Sequence, residues 1–95
     1  MARYEIRFQP EAITSMGGRA RPIPKREDRF EVWREGNYAG VGIEVRPQAS
    51  PRDRLFAAKA IVARVKSRLG DDRPEFTAGD DTPETRHFME IMRDA

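Results

Sequence analysis

His87 is the only histidine in a chain of 95 residues, and cysteine is absent. A Ser-His-Asp site needs a nucleophile, a base and an orienting group, and no Gly-x-Ser-x-Gly elbow is present to expose a serine. The composition leaves no thiolate nucleophile, no disulfide and no zinc ribbon, and one imidazole cannot build a multi-histidine cage. His87 is expected to be a partly exposed residue of a terminal helix. Asp71-Asp72 and Asp80-Asp81 have the ligand chemistry for a hard cation if a turn gathers them. Turn formation and helix capping account for the same aspartates equally well. Gly36, Gly40 and Gly42 match neither of the glycine-rich phosphate-binding patterns, and a chain this short offers little cleft in which one carboxyl of a pair could be desolvated. The expectation is a protein with no enzymatic activity, no catalytic residue, no metal and no cofactor.

Residues suited to binding are better represented. Trp33 and Tyr38, with Arg29, Arg34 and Arg46 nearby in sequence, combine aromatics and arginines over backbone opened by Gly40 and Gly42. Such a face on a sheet serves either a protein hot spot or base stacking. A second candidate is the stretch from Gly17 to Arg26, whose Arg19, Arg21, Lys25 and Arg26 are interleaved with two glycines and two prolines. It is expected to form an exposed basic loop able to meet phosphates or an acidic protein surface.

The formal charge of +2 conceals an asymmetry. Residues 1–70 carry 15 Lys+Arg against 8 Asp+Glu, a balance of +7, whereas residues 71–95 carry 3 against 8, a balance of −5. The organisation expected is a basic core domain over 1–70 and an acidic C-terminal segment over 71–95. That segment either belongs to the same domain or faces a partner.

The elements that must position these residues follow from periodicity. Tyr4, Ile6 and Phe8 alternate with Arg3, Glu5 and Arg7, the pattern of a half-buried strand, which Pro10 is expected to end. Pro10 to Met16 has the composition of a single helical turn, stopped by Gly17-Gly18. Between Arg29 and Arg46 a hairpin is expected, turning on Gly36-Asn37 in type II′ geometry. Paired residue numbers then sum to 73: Val32 faces Val41, Phe30 faces Ile43, Arg29 faces Glu44, and the Trp33 indole covers Gly40.

Ser50 as N-cap, Pro51 in the first turn and Gly70 after the end bound a helix over 51–69. Its stripe of Leu55, Ala58, Ile61, Val62, Val65 and Leu69 should cover the hairpin. The small-residue side around Phe56 is expected to pack against something, with the terminal helix one candidate. The hexapeptide Gly70-Asp-Asp-Arg-Pro-Glu75 recurs as Gly79-Asp-Asp-Thr-Pro-Glu84. The second copy opens the short terminal helix at Asp81 or Thr82, with Phe88, Ile91 and Met92 on one side.

The fold expected is a small single α+β domain: a three-stranded, mainly antiparallel sheet in β-β-β-α order on one long helix, with a short C-terminal helix. That outline is shared by double-stranded-RNA-binding and integrase arm-type DNA-binding domains. The preceding helix and the lysine cluster of the RNA-binding type are missing here, so no family is assigned. The function expected is that of an interaction protein that binds, and inhibits or adapts, another protein. Its size, charge and missing chemistry resemble those of inhibitors carried by phages and mobile elements, anti-CRISPR-type proteins among them. The alternative is a DNA- or RNA-binding module with the acidic segment as internal competitor. The charged N-terminus and the lack of a long apolar run point to a cytoplasmic protein with no membrane contact. Free sheet edges or the terminal helix would allow either a monomer or a homodimer.

Overall fold

A computed structural model describes the backbone of residues 3–14 and 25–95, and the side chains of 3–9 and 28–95. The elements are β1 (Arg3–Thr14), β2 (Lys25–Arg34), β3 (Asn37–Val45), α1 (Pro51–Leu69), β4 (Glu75–Ala78) and α2 (Pro83–Arg93). The sheet has four strands in the order β3-β2-β1-β4, so the three-stranded expectation is one strand short. β1–β2 and β2–β3 are antiparallel, while β4 runs parallel to β1 and makes the sheet mixed. The additional strand comes from the acidic segment.

Pro10 does not end β1. The strand runs on to Thr14, and the helical turn expected from Pro10 onward is absent as far as that residue. The β1–β2 register shifts between Gln9 and Ala12, and such a bulge is where a residue without an N–H fits inside a strand. Lys25 and Arg26, expected in the basic loop, instead belong to the backbone of β2 opposite Thr14 and Ile13. The rest of that loop, with Arg19 and Arg21, lies outside the described residues.

The hairpin turns one residue earlier than expected. Glu35 (φ 52°) and Gly36 (φ 79°) are its central residues, and positive φ at both positions is type I′ geometry. Pairs near the turn therefore sum to 71, with Trp33 opposite Tyr38 and Arg34 opposite Asn37. The extra residues Ala39 and Gly40 are absorbed in a bulge, with Gly40 at φ 82°. Beyond it the expected register returns: Val32 faces Val41, Phe30 faces Ile43, Glu31 faces Gly42 and Arg29 faces Glu44.

One sheet face carries the core. Tyr4, Ile6, Phe30, Val32, Val41 and Val45 meet Ala57, Ala58, Ile61 and Val65 of α1 and Phe88 of α2. Burying the Ile, Val and Phe side chains among these contributes roughly 1.5–3 kcal/mol each, and the Phe30 and Phe88 rings stack at 4.1 Å and 11°. The α1 stripe sits close to its expected position, with Leu55, Val62 and Leu69 half-buried at its margin. Ser50 accepts the Asp53 N–H and Gly70 closes the helix in the left-handed conformation, both as expected. Phe56 is not covered by α2: it points away from the core and is 74% exposed.

Candidate functional site

Strand alternation sends Glu5, Arg7, Arg29, Glu31 and Trp33 to the face of the sheet opposite the helices. Among the described residues no element covers that face. The β1–β2 register puts Glu5 across from Trp33 and Arg7 across from Glu31. Glu31 is the hub. Its Oε1 accepts the Trp33 Nε1–H at 3.3 Å, and its Oε2 accepts from Arg29 Nε at 3.1 Å. Arg29 Nη2 donates to the Tyr38 hydroxyl at 2.9 Å, and Nη1 lies 3.6 Å from Glu44. The Arg7 guanidinium sits 4.2 Å above the Trp33 ring and also pairs with Glu5 at 3.1 Å. Trp33 and Tyr38 meet in a tilted contact at 6.1 Å.

Each of these contacts fixes a long side chain that would otherwise sample several rotamers. Burial on the sheet opposes the Arg29 charge, yet hydrogen bonds to Tyr38 and Glu31 outweigh it and hold the guanidinium pKa above its usual range. Gly42 is the opening that admits this side chain: a Cβ there would meet Arg29 Nη2 at 2.5 Å. The glycine covered across the hairpin is thus Gly42 under an arginine, in place of Gly40 under the indole.

The structure brings together Trp33, Tyr38 and Arg29 of the residues singled out in the sequence. Arg34 and Arg46 are not part of the cluster. Arg34 alternates to the helix side, where its guanidinium lies 5.8 Å from the Tyr4 ring, and Arg46 is exposed beyond the end of β3. Arg7, Glu5 and Glu31 were missed as members. Their alternation marked them as outward-facing, but only the β1–β2 register reveals that Arg7 reaches Trp33.

His87 is half-exposed, with Nδ1 4.0 Å from Glu90. Among the described residues no group of three or more His, Cys, Asp or Glu side chains is placed to hold a metal ion. No helix among them is long and apolar enough to cross a membrane.

The class defined by fold and site is a small α+β domain with a mixed four-stranded sheet, two helices on one face and an aromatic-arginine cluster on the other. No family model, no curated protein and no solved structure matches the chain.

Proposed function

We propose that this is a non-enzymatic interaction protein that recognises another protein through the open sheet face around Trp33 and Tyr38, and inhibits or adapts it. The observation that carries this reading is the internal pairing of the face: Arg7 and Arg29 are engaged by Glu5, Glu31, Glu44 and the aromatic rings. Two arginines among three glutamates do not form the cationic field that phosphates require. Ordered aromatics on a rigid sheet are instead suited to a desolvated protein contact, because little side-chain entropy remains to be lost on binding.

Affinity capture from the native host, with nuclease treatment and mass spectrometry, tests the proposal. A protein retained by the wild type should be lost from the Trp33→Ala variant, with affinity reduced by about thirtyfold, the scale of a 2 kcal/mol hot spot. Retention at wild-type yield by both Trp33→Ala and Tyr38→Ala would sink it. Capture that disappears with nuclease treatment would favour the nucleic-acid alternative. Truncation of 71–95 is no test of that alternative, since it would remove β4 and the buried Phe88.

A further inference from the structure

A second surface, separate from the sheet face, lies at the outer edge of β4. Among the described residues no strand pairs with that edge. The Gly79 N–H donates to the Ile6 carbonyl at 2.9 Å, so strand alternation turns the Thr77 amide toward β1 and those of Phe76 and Ala78 outward. The opposite edge of the sheet is guarded. There β3 is bulged at Ala39-Gly40, and Arg64 Nη1 donates to the Gly42 carbonyl at 2.8 Å. These are recognised ways of blunting a strand edge, and among the described residues β4 has neither. Along it runs a groove of about 520 Å³ between Phe76–Ala78 and the α2 face that carries Arg86, Met89 and Arg93.

We propose that this groove binds a short, extended, acidic segment of another protein, which adds to β4 as a fifth strand. Backbone pairing along a free edge supplies affinity, and the wall beside it supplies specificity. The wall is partly apolar: Phe76, Met89 and Met92 are half-buried, and methionines adapt to varied shapes. It also carries Arg86 and Arg93 beside Glu90. Glu90 lies 4.0 Å from His87. Arg86 is held at 2.8 Å by Asp81, whose side chain is 94% exposed and therefore displaceable. Among the described residues Arg93 has no ionic partner. An incoming carboxylate would pair with Arg93, and a second would compete with Asp81 for Arg86.

A second copy of this chain is a poorer fit. Eight residues line the groove, whereas a stable interface uses roughly 20–30 a side. The one carboxylate on β4, Glu75, is already 3.9 Å from Arg3.

The test is fluorescence anisotropy with a dye-labelled alternating Glu-Val peptide, its Lys-Val counterpart, and the Glu-Val peptide N-methylated along one edge. The Glu-Val peptide should bind, and both the Lys-Val and the N-methylated peptides should be weaker by at least about tenfold. Arg93→Glu should cost a similar factor. So should Ala78→Pro, which removes one outward N–H at an edge position where proline is tolerated. Trp33→Ala should leave peptide binding unchanged, so failure here and failure of the sheet-face reading are distinguishable. The proposal is overturned if the Glu-Val peptide does not bind at millimolar concentration, if N-methylation is without effect, or if Arg93→Glu stays within about twofold of wild type. It is also overturned if sedimentation shows a dimer that Ala78→Pro dissociates, which would make a second copy the occupant.

Discussion

Gly70-Asp-Asp-Arg-Pro-Glu75 and Gly79-Asp-Asp-Thr-Pro-Glu84 begin alike in structure and end differently. In each, the first aspartate closes a local turn with Oδ1, which accepts the N–H two residues on: Arg73 at 3.0 Å and Thr82 at 3.1 Å. In each, Oδ2 reaches β1, where Asp71 accepts from the Tyr4 hydroxyl at 3.2 Å and Asp80 from the Phe8 N–H at 2.7 Å. The two clamps flank β4 and fasten it alongside β1. After the proline they diverge. Thr82 accepts the Thr85 N–H and caps α2, while Arg73, in the equivalent place, has no oxygen to offer a helix and Pro74 leads into the strand. One turn motif thus yields two outcomes, decided by a single capping residue and by what lies next to it.

The largest effect should come from breaking the anchor that follows the second copy. Phe88→Ala removes a fully buried ring stacked on Phe30 and should cost about 3–5 kcal/mol by urea denaturation. Phe76→Ala, after the first copy, removes a half-buried ring 5.8 Å from Tyr4 and should cost clearly less. Equal costs would mean that the two arms are anchored alike.

The clamps themselves should separate by pH. Desolvation pushes the Asp80 pKa up, but hydrogen bonds from the Phe8 N–H, Thr85 and Thr82 outweigh it and hold the carboxyl below its usual value. A depressed folded pKa contributes stability above the unfolded value of about 3.9, and that contribution is lost as pH falls through the folded value. Asp80→Asn should therefore destabilise by about 1.5 kcal/mol at neutral pH, the low end for a hydrogen bond to a charged group because Asp80 is only half-buried. It should also flatten the fall in stability below about pH 4. An acid limb identical to wild type would remove Asp80 as its source.

Much of this architecture was legible in the sequence, and the failures have identifiable causes. Ser50, Pro51 and Gly70 bounded α1 because caps act locally, and the hairpin register beyond the bulge followed from the segregation of Phe30, Val32, Val41 and Ile43. The turn shifted by one residue because Glu35 adopts positive φ, which no local signal announces. β4 was missed because four residues carry no usable period, and its pairing with β1 joins positions such as Tyr4 and Phe76 that are far apart in sequence. The same distance hid Arg7 over Trp33. The repeated hexapeptide was visible throughout, but its role depends on β1 lying between the two aspartates.

The first clamp should fail at the other end of the pH scale, and by less. Burial and the hydrogen bond to Asp71 raise the Tyr4 pKa, with the Asp71 charge adding to the effect and Arg34 opposing it. A folded pKa above the unfolded value of about 10 gives a contribution that is complete below that pH and lost as pH rises through the folded value. Tyr4→Phe keeps the ring in the core and removes only the hydroxyl that Asp71 receives. It should cost about 1 kcal/mol at neutral pH and soften the loss of stability above about pH 10, a limb that Asp80→Asn should leave untouched. Thermal melts of Asp80→Asn and Tyr4→Phe across the pH range therefore separate the two clamps on the alkaline limb. Should Asp80→Asn alter that alkaline limb as well, the two copies would be one coupled clamp, and the distinction between a backbone-anchored and a side-chain-anchored arm would fall.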